Sequence, residues 1–147
     1  MEKQDYHVSI TVKATPQEAF KSINSVTKWW TEHLEGSSQK LNDEFTVRFG
    51  DSHKSTQRLI EVIPDKKVVW FVTESKLSFV ENKHEWTGTK IIFEISGQGD
   101  ITKIDFTHLG LVPTIQCYGG CSGAWGEYIE ESLFKLITKG KGMPELM

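Results

Sequence analysis

Residues 113–139 read PTIQCYGGCSGAWGEYIEESLFKLITK, and the fold turns on this stretch. Trp125, Ile129, Leu133, Leu136 and Ile137 recur at helical spacing, with Glu127, Glu130, Glu131 and Lys135 mainly on the other side. The spacing predicts a long amphipathic helix with one apolar face, and such a face needs a surface to lie on. The preceding chain supplies it as strands with one apolar face each, so burial of the one against the other predicts a two-layer domain.

The surface is built from the start of the chain. Tyr6, Val8, Ile10 and Val12 alternate with His7, Ser9 and Thr11, which predicts a half-buried strand. Thr15-Pro16-Gln17-Glu18 forms a capping box with proline at the first helical position, opening a helix that Ala19, Phe20 and Ile23 make amphipathic and Asn24-Ser25 ends. A second short helical turn over 26–31 carries Trp29 and Trp30. Adjacent side chains leave a helix in different directions, so one indole is expected in the core and one near its rim.

From Leu41 the period becomes two. Phe45, Val47 and Phe49 form one strand, residues 54–63 the next, and Pro64-Asp65 closes it. Residues 67–74 (KVVWFVTE) are apolar on both faces, which predicts a central strand. Residues 77–80 read as a short edge piece and 81–85 as a loop. Ile91, Phe93 and Ile95 mark a further strand, Gly97-Gln98-Gly99-Asp100 a hairpin turn, and Ile104, Phe106 and His108 one face of the last strand. The order is strand, two helices, about six antiparallel strands, long helix: an α+β domain, expected to be a single one at 147 residues.

Composition narrows the function. A net charge of -3 with no Lys/Arg-dense block argues against a nucleic-acid binder. The longest apolar runs, such as Val68 to Val72, are too short to span a bilayer, so no membrane insertion is expected. The N-terminal MEKQDYHVSI has no apolar signal region. Two cysteines four residues apart give no disulfide framework. The expectation is a reduced, cytoplasmic protein.

The order of elements, with Thr15-Pro16-Gln17-Glu18-Ala19-Phe20, Trp29-Trp30, Val69-Trp70 after Pro64, Glu85-Trp86-Thr87-Gly88-Thr89, Phe106-Thr107-His108-x-Gly110 and Gly123-x-Trp125, resembles the START-like (SRPBCC) superfamily. Within it the chain looks like the branch of the activator of heat-shock protein 90 ATPase. The resemblance covers essentially the whole chain. It implies the helix-grip fold, a curved antiparallel sheet wrapped around a long C-terminal helix, with a deep apolar cavity between them. It also brings in a possible chaperone partner and a stress-response setting. It does not imply an activity, because relatives include lipid carriers, receptors, aromatase/cyclases and co-chaperone domains. Nor does stimulation of a chaperone carry over, since the eukaryotic activator pairs this domain with another N-terminal one.

A cavity would be lined by Trp30, Phe45, Trp70, Phe93, Phe106, Cys117, Cys121 and Trp125, with His108 and Tyr118 as polar groups to orient a guest. Gly119, Gly120, Gly123 and Gly126 admit three readings: room for a ligand between helix and sheet, close packing of bare backbone, or a helix that begins only near Ser122. His108, in phase with Ile104 and Phe106, either meets a ligand or ties the strand end to the helix. Cys117, Cys121 and His108 fall short of a four-ligand zinc set, and no nucleotide, nucleophile-elbow or metalloprotease motif appears, so no cofactor, metal or catalytic residue is assigned. Three functions remain: binding a small hydrophobic molecule, lipid-like or aromatic; a protein-interaction module; and a cyclase or lyase in which His108 moves protons.

Overall fold

A computed structural model describes residues 5–49, 53–78, 84–112 and 118–144. Seven strands form one curved antiparallel sheet: β1 (Tyr6–Val12), β2 (Leu34–Gly36), β3 (Glu44–Phe49), β4 (His53–Ile63), β5 (Lys67–Leu77), β6 (Lys90–Gln98) and β7 (Ile101–Leu109), in the order β1-β7-β6-β5-β4-β3-β2. Between β1 and β2 lie α1 (Pro16–Asn24) and α2 (Val26–Trp29). The C-terminal helix begins as α3 (Tyr118–Glu127), passes through a π-helical stretch (Tyr128–Leu133) and ends as α4 (Phe134–Lys139). This is the helix-grip architecture expected from the sequence.

Local chemistry accounts for the ends of these elements. Both arms of the capping box form: the Glu18 amide donates to Thr15 Oγ1 over 3.1 Å, and the Thr15 amide to Glu18 Oε1 over 3.2 Å. Gly110, at φ 105°, turns the chain after β7; a Cβ there would lie 2.6 Å from the Thr89 side chain.

Two expectations change. Both Trp29 and Trp30 are buried, at 0 % and 2 % exposure, because Trp29 sends its indole N–H to the Ile23 carbonyl while Trp30 caps α2 and folds under the terminal helix. Of the edge piece expected over 77–80, Leu77 is the end of β5 and Ser78 lies in a turn, while 79–80 fall outside the described residues. Six strands still follow β1, because the three-residue β2, pairing Leu34 with Val47 and Gly36 with Phe45 and too short to show any period, makes up the number.

The terminal helix is not regular. Its π turn brings Tyr128 and Ile129, then Ser132 and Leu133, to the buried side in adjacent pairs. The Ser132 hydroxyl donates to the Trp29 carbonyl over 2.6 Å and accepts from the Met143 amide over 2.7 Å, fastening the tail over α2. The π stretch and α4 pack backbone-close on β1, α1 and α2; among the described residues, α3 approaches no strand comparably. Side chains must span that gap.

Candidate functional site

The side chains that span it are aromatic. The sheet contributes Phe45 from β3, Trp70 from β5, Phe93 from β6, and Phe106 and His108 from β7, all at 0–1 % exposure. The helix contributes Cys121 and Trp125, both buried, with Tyr118 half-buried at its start. Trp30 closes one side. Cys117 lies outside the described residues.

Rings that the sequence casts as cavity lining touch one another. Trp125 stacks on Trp30 with centroids 5.0 Å apart and meets Phe106 at 4.6 Å. Trp30 stacks on Trp70 at 5.6 Å, and Trp70 meets Phe45 at 5.0 Å and Phe93 at 4.9 Å. Such pairs are worth about 0.5–1.5 kcal/mol each beyond burial, so this seam contributes to stability as it stands.

His108 has both ring nitrogens engaged. Trp125 Nε1 donates to His108 Nδ1 over 3.0 Å, and His108 Nε2 meets Thr89 Oγ1 at 2.8 Å. Because Nδ1 accepts, the neutral ring carries its proton on Nε2 and donates to Thr89, whose hydroxyl donates on to the Trp86 carbonyl over 2.6 Å. Burial, helped by the nearby His53, holds the His108 pKa down at about 3. The ring therefore ties β7 to α3 and to the start of β6, and both positions through which it would meet a ligand are taken.

A polar run completes the inner surface. His53 packs edge-on against Trp86 at 4.6 Å, and burial lowers its pKa to about 4. Its Nε2 meets the Ser55 hydroxyl at 2.8 Å, and that hydroxyl accepts from Gln57 Nε2. Trp86 stacks on Trp125 at 5.8 Å and meets His108 at 4.7 Å. None of His53, Ser55, Gln57 and Thr89 is a site expectation from the sequence. On β4 the buried positions Ser55 and Gln57 are polar, so alternation gives no hint that they face in. Trp86 is visible in the Glu85-Trp86-Thr87-Gly88-Thr89 motif, but as an unassigned aromatic.

The helix glycines face outward. Gly119, Gly120 and Gly123 are exposed, and a Cβ added to any of them would meet nothing within 4 Å. With Tyr6, Gly126 and Glu130, Gly119 and Gly123 border an outer groove of about 480 Å3. These three neither make room between the layers nor admit a packing partner, and α3 already spans Tyr118–Glu127 rather than starting near Ser122, so all three readings from the sequence give way to bare, unsupported helix.

Sheet and terminal helix together define the architecture, a helix-grip fold. No family model and no curated protein matches the chain. Among solved structures, the solution structure of the Aha1 dimer from Colwellia psychrerythraea matches with a TM-score of 0.74 at 24 % identity, over 95 % of this chain and 99 % of that one. CalU16 from Micromonospora echinospora matches at 0.69 and 15 % identity, over 99 % of this chain and 81 % of that one. DynU16, from the dynemicin biosynthetic locus, matches at 0.66 and 15 % identity over 92 % of this chain but 48 % of its own, so the chain spans about half of it. At these identities the likeness shows the fold. In all, 176 solved chains match, and a fold so widely shared selects no activity. No helix among the described residues is long and apolar enough to cross a membrane.

Proposed function

We propose that the protein binds a small hydrophobic molecule between α3 and the inner face of the sheet, with α3 as the cover that moves to admit it. The observation that carries this reading is the construction of α3. Glycine in a helix interior costs about 1 kcal/mol relative to alanine, and three of the four glycines here gain no contact in return. The helix is held down largely through Trp125 and Cys121, whereas the π stretch and α4 are fixed to β1 and both short helices. A weak segment lying over an aromatic layer, hinged on a firm one, is suited to local opening.

The energetics are adequate. A guest that shields about 200 Å2 of apolar surface gains roughly 5 kcal/mol before the costs of immobilising it. The lining would be Trp30, Phe45, Trp70, Phe93, Phe106, Cys121 and Trp125, with Tyr118 at the edge. His108 acts in this reading as the latch for Trp125. Occupation of both its nitrogens argues against the proton-moving role of a cyclase or lyase.

The test is native mass spectrometry of freshly purified protein together with a thermal-shift screen of apolar and aromatic compounds. The reading predicts a co-purified small molecule, or stabilisation by members of one chemical series. A clean spectrum with no shift across the library would contradict it. The protein-interaction reading draws on the likeness to the Aha1 dimer from Colwellia psychrerythraea. It predicts instead capture of a chaperone or of a second copy, unaffected by small apolar molecules.

A further inference from the structure

Among the described residues, four buried side-chain polar atoms have no hydrogen-bond partner: Asn24 Oδ1, Gln57 Oε1, Trp70 Nε1 and Trp86 Nε1. Leaving such a group unpaired costs about 1–3 kcal/mol, so native interiors hold few of them. Three of these four belong to one neighbourhood. Gln57 lies opposite Phe45 in the β3–β4 register, and the Phe45 ring meets Trp70 at 5.0 Å. In the other direction the Gln57 amide donates to Ser55, Ser55 meets His53, and His53 lies against Trp86. Two unpaired donors and one unpaired acceptor thus sit along a single run on the inner face, amid the rings of the seam.

We infer that the guest of this seam is a flat, uncharged aromatic compound bearing a carbonyl group, whose oxygen accepts from the indole N–H of Trp70 or Trp86. The inference rests on the binding reading above and specifies its ligand. Flatness follows from surroundings built of ring faces and edges. Neutrality follows from the interior: no carboxylate, ammonium or guanidinium is buried among the described residues, so a charged guest would lie without a counter-charge. The carbonyl follows from the excess of unpaired donors, which an aliphatic or purely hydrocarbon guest would leave unpaired. Gln57 Oε1 adds a place for a hydroxyl or amide N–H on the same molecule.

Two probes of nearly equal shape separate the terms: 2-acetylnaphthalene, which carries the carbonyl, and 2-isopropylnaphthalene, which does not. Titration of the intact protein, followed by calorimetry, is expected to show the ketone binding at least fivefold more tightly, although it is the less hydrophobic of the two. Trp70→Phe and Trp86→Phe keep a ring and remove the N–H. At least one of them should abolish the preference while leaving the hydrocarbon's affinity within twofold. Equal or tighter binding of the hydrocarbon to the unsubstituted protein overturns the inference without touching the binding reading, and is the result expected if trapped water alone satisfies the indoles. A preference that survives in both variants and in their combination also overturns it. Binding of neither probe overturns this inference, while the binding reading stands or falls on the co-purification and thermal-shift tests.

Discussion

The indole N–H of Trp125 donates to Nδ1 of His108 across 3.0 Å, joining the glycine-rich part of the terminal helix to the last strand of the sheet. Trp125→Phe keeps a ring but removes the donor and strands a buried acceptor on His108. The expected loss is about 1–3 kcal/mol in urea unfolding, with hydrogen exchange faster in α3 than in α4. Equal changes in both segments would mean that the bond does not latch α3 in particular.

Burial of His108 and His53 makes stability depend on pH. The folded chain keeps His108 and His53 neutral, with pKa values of about 3 and 4, whereas both rings protonate near 6.5 when unfolded. The depressed values mean that the unfolded state binds more protons. Their contribution is therefore full above about pH 6.5 and is lost as pH falls toward 4 and then 3. Near pH 5 close to two protons are taken up on unfolding, a slope of roughly 2–3 kcal/mol per pH unit from these groups alone. Replacing His108 by Gln should roughly halve the histidine part of that slope, which chemical denaturation at several pH values will read.

The glycines of α3 and the tail behave oppositely. Gly120→Ala adds a methyl into open space in a helix, so it should stabilise α3 by up to about 1 kcal/mol and slow uptake of any guest. A gain in stability with unchanged uptake kinetics would argue against α3 as the moving cover.

At Gly142 a Cβ would strike the Lys28 carbonyl and press on the Ser132 carbonyl and Trp29 Cα. Gly142→Ala is expected to destabilise by about 1–3 kcal/mol through displacement of the tail from α2. A melting temperature equal to the parent's would contradict that close fit.

The sequence carried the fold because its signals are local and redundant. The capping box at Thr15, the alternation through Ile91, Phe93 and Ile95, and the helical repeat from Trp125 to Ile137 each announce an element by its own chemistry. β2 escaped because Leu34–Gly36 is held by its pairing to β3 rather than by any period of its own. The π turn escaped because the four-residue steps Trp125, Ile129, Leu133 and Ile137 suit an α-helix as readily as the wider π turn. In the site, Trp30, Trp70 and Trp125 were legible as large apolar residues on inward phases. Ser55 and Gln57 were not, since a buried polar strand face looks in sequence like an exposed one. The outward direction of the helix glycines was equally hidden, because rotation of α3 about its axis is set by Trp125 and Cys121 rather than by the glycines themselves.

The central claim is that a small apolar guest enters beneath α3. Its most direct measurement is an NMR titration of nitrogen-15-labelled protein with 2-acetylnaphthalene, following the five indole N–H resonances. The account predicts saturable shifts at Trp70, Trp86 and Trp125, with backbone shifts in α3 exceeding those in α4. Shifts confined to the outer groove, or indole resonances that stay fixed at every probe concentration, would contradict it.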